Sequence, residues 1–317
     1  MKNRLFCLLL LCLLINVFTG CSSPSKTYTE DTQDQKLTVV TTIFPPYDFT
    51  RAIAGDLVEL KMLLPPGSES HSFEPTPQDI IQIQNSDLFI YVGGESDDWI
   101  DGILESLDTS QIKIITLMDC VEVVEEEVVE GMQEEEGQEE GMAYDEHVWT
   151  NPRNAILIVE KISQALCELD QEHCSLYQTN TDLYTQELKK LDAAFMDVVA
   201  NANRHTIIFA DRFPFRYLAD AYGLEYYAAF PGCSTETEAS AKTVAFLIDK
   251  MKQEQIPVIF HIELSNQKMA ETIAEETGAA IRELHAVHNI SKTDFDAGLT
   301  YLDLMYRNVE ALKEALE

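Results

Sequence analysis

Short apolar, β-branched runs alternate along the chain with stretches whose apolar residues recur every three or four positions. Leu37–Ile43, Val58–Leu64, Asp87–Val92 and Lys113–Leu117 in the first half read as strands. Thr206–Ala210, Leu224–Ala228, Pro257–Ile262 and Ala280–Leu284 repeat the pattern in the second. Between them Pro77–Gln84 and Glu238–Lys252 read as helices, the former with Thr76 as N-cap and Pro77 at the first helical position. This alternation predicts the α/β fold class, as two lobes each built on a parallel sheet covered by helices on both faces. From about Cys174 to Asn203 there is no Gly or Pro, and Tyr184, Leu188, Leu191, Phe195 and Val198 form one stripe of a single helix. At about 1.5 Å per residue it would reach about 45 Å, a stiff connector running the height of both lobes. Leu302, Met305, Val309 and Leu312 predict a final packing helix.

The amino terminus reads as an address rather than as part of the fold. Lys2 and Arg4 precede an apolar run from Leu5 to Ile15, too short to span a bilayer as a helix. Phe18-Thr19-Gly20-Cys21 resembles a bacterial lipobox, in which Cys21 would be lipidated and become the mature N-terminus. An ordinary secretion signal with a chance cysteine is the alternative. The expected organisation is a signal peptide over 1–20, a tether over 21–36 and an N-terminal lobe over 37–173 carrying an acidic loop, 120–146. A linker helix over 174–203 and a C-terminal lobe over 204–317 follow. The body is expected outside the cell, lipid-anchored to the membrane.

Charge narrows the partners. The chain has 55 acidic against 22 basic residues and a formal net charge of −33, a field that repels nucleic-acid phosphates and attracts cations. Twelve acids and no Lys or Arg fall within residues 122–146, a block expected to stay unpacked as a mobile loop. It reads either as a solvated insert or as a weak collector of divalent cations. Outside the signal and Cys21, the cysteines are Cys120, Cys167, Cys174 and Cys233, without the C-x-x-C spacing of a thiolate metal site. Cys167 and Cys174 are close enough in sequence to pair outside the cell, with buried thiols as the alternative.

Seven histidines are present, and four stand at informative places. His71 follows the second predicted strand through Pro65-Pro66-Gly67, and His147 closes the acidic block. His261 ends the apolar run Val258-Ile259-Phe260, and His285 directly follows Leu284. Ligands of parallel α/β sheets bind outside the carboxyl ends of the strands, so these four predict a cleft between the lobes. Imidazole nitrogens suit zinc, whereas calcium or magnesium would want an oxygen cage.

At these residues a family resemblance enters. The stretch from Val39 to Phe49, the run Leu63-Leu64-Pro65-Pro66-Gly67 leading to His71 and Phe73-Glu74-Pro75, and Asp145-Glu146-His147-Val148-Trp149-Thr150-Asn151-Pro152 are similar to motifs of zinc/manganese solute-binding proteins of ABC transporters, the ZnuA/TroA-like group. The similarity runs from about Leu37 to the C-terminus. It implies two lobes joined by a long rigid helix (the cluster A-I type of solute-binding protein), with His71 and His147 as ligands of a metal held between them. The family's third ligand falls on Ala210 in the register adopted here, and alanine cannot bind metal. Asp211 is one substitute, and His261 is preferred. The fourth ligand falls on His285, with His288 as the alternative.

The function expected from this resemblance is capture of zinc and its delivery to an ABC-transporter permease, without catalysis. The protein is expected to work as a monomer on its lipid anchor. A nitrogen-rich site favours zinc over manganese. A manganese-binding homologue, an extracytoplasmic zinc hydrolase or an adhesin with a structural metal are the other readings. No H-E-x-x-H is present, and a cleft closed by four side chains leaves no water to activate.

Overall fold

The computed structural model describes residues 36–69, 73–132, 144–234 and 238–317. The lipobox with Cys21, His71 and the centre of the acidic block therefore lie outside the described residues. Two four-stranded sheets dominate. The first contains β1 (Leu37–Thr41), β2 (Val58–Met62), β3 (Leu88–Tyr91) and β4 (Lys113–Thr116), in the order β2-β1-β3-β4. The second contains β5 (Thr206–Phe213), β6 (Glu225–Pro231), β7 (Val258–His261) and β8 (Ala280–Glu283), in the order β6-β5-β7-β8. Every pairing in both sheets is parallel. The two-sheet α/β architecture is the one expected.

Side-chain alternation along the strands sorts the core into layers. Val39, Ile90, Ile207, Phe209, Val258 and Phe260 face a central core that both sheets share. Val40 and Phe89 face the outer layer of the first sheet, with α2 (Pro77–Gln84) and α3 (Asp98–Ser106). Ile208, Ala210 and Ile259 face the outer layer of the second, with α7 (Ala241–Glu254) and α8 (Lys268–Thr277). Helix α2 begins as the sequence predicts, with Thr76 and Asp79 forming a capping box and Pro77 in the first turn.

Between the lobes run α4 (Pro152–Leu169) and α5 (Cys174–Ala200), joined by a tight turn that the Cys167–Cys174 disulfide closes. Helix α5 buries Leu188, Leu191 and Phe195 of the predicted stripe. The remaining helices are α1 (Phe44–Ala54), α6 (Arg216–Tyr222), α9 (Lys292–Asp296) and α10 (Tyr301–Leu316). No helix among the described residues is long and apolar enough to cross a membrane.

Two expectations need correction. Leu37–Ile43 was expected to be all strand, but β1 ends at Thr41, and Pro45 and Pro46 occupy the opening turn of α1, where a missing N–H costs nothing. Part of the acidic block does pack. Val121, Val124, Val129 and Met132 turn toward the central core. Meanwhile Glu126 accepts the Cys233 N–H at 2.9 Å and Glu127 accepts the Tyr226 hydroxyl at 3.2 Å. Alternation of valine with glutamate gives this strap an apolar face for the core and an acidic face for the second lobe.

Candidate metal centre

His147 sits in the turn between the strap and α4 and is fully buried. The Asp145 carboxylate accepts its backbone N–H at 2.8 Å and lies 3.2 Å from its Nδ1. A carboxylate on Nδ1 fixes the ring tautomer and gives Nε2 the lone pair, the arrangement typical of histidine metal ligands. Burial opposes a charge on this ring, but Asp145, Glu146 and Glu126 more than offset it and raise the His147 pKa. Surroundings that favour a cationic imidazole also favour a metal dication.

The His288 ring stands 5.3 Å from that of His147, centroid to centroid, and nearly perpendicular to it. At that separation both can reach one ion with bonds of about 2.0–2.1 Å. The two rings line a cavity of about 30 Å³ between the lobes, with Glu69, Arg212 and Glu263 on its walls. That is room for an ion or a water molecule, not for an organic substrate. Ser68 and Glu69, just ahead of His71, line it as well.

The loop leading to His71 is tied to the loop that follows His288. Asn289 Nδ2 donates to the carbonyls of Pro65 and Ser68 at 2.9 and 2.7 Å, and the Gly67 N–H donates to Ile290 O at 2.8 Å. Trp149 Nε1 donates to Ala286 O at 2.7 Å, and the Tyr301 hydroxyl to Trp149 O at 2.6 Å. These bonds join the loops at the carboxyl ends of the two sheets. Gly94, at φ +85°, must be glycine, because a Cβ there would meet Glu146 Cγ at 2.6 Å.

The other two predicted histidines are not among the residues lining this cavity. In β7, Phe260 faces the central core and Ile259 the outer layer, so alternation turns His261 outward with Ile259. His261 Nδ1 bonds the adjacent Ile262 carbonyl at 2.8 Å, and Ile262, not His261, lines the cavity. The same parity sends Ala210 to the outer layer. His285 Nδ1 accepts the Val287 N–H at 2.9 Å, which puts the proton of a neutral ring on Nε2 and leaves no lone pair there for a metal. His285 also exchanges two backbone hydrogen bonds with the Asn308 side chain, at 2.7 and 2.8 Å. It is a strut for the turn that carries His288.

Glu263 completes that turn. Its carboxylate accepts the backbone N–H groups of Ala286 and His288 at 2.7 and 3.1 Å. Val287 is held at φ +60°, a costly conformation for a β-branched residue. Where the register placed an alanine as third ligand, a shift between Phe209 and Arg212 in the pairing of β5 with β6 delivers Arg212 to the cavity instead. Its guanidinium pairs with Glu69 Oε2 at 3.2 Å. Asp211 does not line this cavity. Among the described residues no group of three or more His, Cys, Asp or Glu side chains is arranged to hold a metal, and His71 lies outside them.

Two α/β lobes joined through paired helices, with His147 and His288 facing a cavity of ionic size between them, make the architecture of a two-lobed solute-binding protein. The chain belongs to the family described as zinc-uptake complex component A, periplasmic, whose model matches residues 39–315. It is 31% identical over 303 residues to the high-affinity zinc uptake system protein ZnuA of Bacillus subtilis, covering 94% of this chain and 93% of that protein. It is also 31% identical over 290 residues to the zinc-binding lipoprotein AdcA of Streptococcus pneumoniae, where 90% of this chain spans 56% of the relative. Among solved structures, the Zn(II)-bound ZnuA-like domain of that AdcA superposes with a TM-score of 0.74 at 30% identity, over 89% of this chain and 99% of that one. The metal-dependent lipoprotein YcdH of Bacillus subtilis gives 0.75 at 32%, with the same coverage.

Proposed function

We propose that this protein captures a single zinc ion outside the cytoplasmic membrane and hands it to an ABC-transporter permease for uptake. Zinc is its cargo, and no reaction is catalysed. The ligands are His71, His147 and His288, in place of the expected use of His261 and His285. Lipidation at Cys21 tethers the protein, as a monomer, beside the permease. The carrying observation is the pair of rings 5.3 Å apart in a cavity of about 30 Å³ walled by carboxylates. A donor set led by imidazole favours zinc over manganese. The zinc-related names of the relatives and the disulfide, a bond that persists in oxidising compartments, support the same reading.

Native mass spectrometry of the lipid-free protein tests it. One zinc per chain should survive exchange into metal-free buffer. Retention of manganese in the presence of equimolar zinc, or of no metal at all, contradicts the proposal.

A further inference from the structure

One glutamate of the acidic strap stands directly behind the metal cavity. The strap lies against the turn that carries His147. There the Asp145 N–H donates to Val124 O at 3.0 Å, and an antiparallel bridge joins Glu125 to Tyr144. The Tyr217 hydroxyl of α6 clamps the two segments, accepting the Val124 N–H at 3.3 Å and donating to Asp145 O at 2.7 Å. Alternation along the strap leaves Glu125 exposed and turns Glu126, half-buried, toward the second lobe.

Glu126 meets Asp145 at Gly232, a residue that lines the metal cavity. A Cβ on Gly232 would lie 3.4 Å from Glu126 Oε1, 3.2 Å from Asp145 Oδ2 and 2.9 Å from Phe213 O, so the two carboxylates converge where only a glycine leaves room. Glu126 Oε1 also accepts the Cys233 N–H at 2.9 Å. Among the described residues neither carboxylate pairs with a lysine or an arginine. Arg212 and Arg216, at this end of the second sheet, pair with Glu69, Glu127 and Asp220 instead. Burial, and with it the charge of Asp145, push the Glu126 pKa up against the pull of the Cys233 N–H. The Cys233 thiol, pushed up by burial and by Glu146, Asp145 and Glu126, sits in the same negative field. Carboxylates withdrawn from water without a counter-ion cost stability, and proteins keep them where a cation binds.

We infer that Glu126 is an affinity-determining residue of the metal site, its carboxylate held behind Gly232 and Asp145 to supply negative charge that is compensated when a dication sits between His147 and His288. The inference rests on the zinc reading. Glu126 itself touches no metal. It acts through the field at the cavity, which falls off less in these surroundings than in water, and through Asp145 on the His147 imidazole. The strap thus lends the site a charge from the protein side, while its exposed glutamates remain in solvent.

Zinc titration of the intact lipid-free protein against a chelator, at about pH 8 and so well above the carboxylate range, tests the inference beside denaturant unfolding of the zinc-free form. Glu126→Gln keeps an oxygen for the Cys233 N–H and removes the charge. It should bind zinc roughly 10-fold more weakly, the low end for loss of an outer partner of a metal ligand. Its zinc-free form should unfold at the parent's denaturant concentration or a higher one, because a withdrawn charge has been removed. A purely structural Glu126 would give the opposite change in stability. Glu125→Gln makes the same change of net charge on the exposed side of the strap, where water and salt screen it, and should bind zinc as the parent does. The inference is overturned if Glu126→Gln binds zinc like the parent, if its zinc-free form is less stable, or if Glu125→Gln weakens zinc equally. Each of these results leaves the zinc reading standing, whereas a parent that binds no zinc overturns both.

Discussion

At the scale of single residues, what each buried histidine can do is decided by the partner of its Nδ1. Asp145 on His147 leaves Nε2 for a metal, whereas a backbone N–H on His285 removes that option. His285 and His288 are three residues apart, and nothing in Leu284-His285-Ala286-Val287-His288 says which one faces the cavity. The choice is made by the left-handed turn at Val287 and the Glu263 clamp, both of which depend on the folded chain. A second buried acid was invisible for the same reason. Asp97 accepts the N–H groups of Val92 and Gly93 at 2.8 and 3.0 Å, yet burial pushes its pKa up to about 7. An unfolded aspartate releases its proton near 3.8, so between there and about 7 the folded chain carries more protons, and raising the pH favours unfolding. In denaturant titrations of the zinc-free protein at pH 4.5 and 7, Asp97→Asn should lose less stability than the parent over that interval, by roughly 2–4 kcal/mol. Identical pH dependence in the two proteins would count against this assignment.

Among the elements, the inner strands β1, β3, β5 and β7 were legible because their burial leaves a plain apolar signature, and the long α5 because its apolar residues recur along one stripe. Their ends were less so. Strand β5 runs on to Phe213, through Asp211 and Arg212, because a register shift lets polar residues continue in the sheet. That irregularity, which no residue pattern announces, separates Ala210 from Arg212. Helix α1 was hidden by Pro45-Pro46, which reads equally as a break or as an N-terminus. The acidic strap was misjudged from its charge alone, because the cations and N–H groups that receive its glutamates come from the other lobe. The disulfide was an open alternative that the α4–α5 turn settles by bringing the two Cα atoms to 4.5 Å. With only seven residues of separation, the entropy model assigns this cross-link about 2 kcal/mol. The Cys167→Ser/Cys174→Ser double variant should unfold at a correspondingly lower denaturant concentration. An unchanged midpoint would mean that the turn is already held by α4 and α5.

For the whole molecule, a net charge of −33 and two lobes clasping a cavity of ionic size point to one task, the retention of a cation. The hydrogen bonds of Asn289, Gly67 and Trp149 join the loops of the two sheets directly, so the cavity lies in a frame tied together without any ligand. Sequence pointed to His71 and His147 through their motifs, and the fold brings His147 to that cavity, whereas His71 lies outside the described residues. Sequence could not reveal that β7 turns His261 outward. Metal affinity therefore turns on which histidine stands opposite His147, and zinc titration against a competing chelator decides it. His288→Ala should lower zinc affinity by at least about 10-fold, while His261→Ala, and His285→Gln, which keeps an acceptor for the Val287 N–H, should bind within a few-fold of the parent. Parent-like affinity in His288→Ala together with a large loss in His261→Ala would contradict the account.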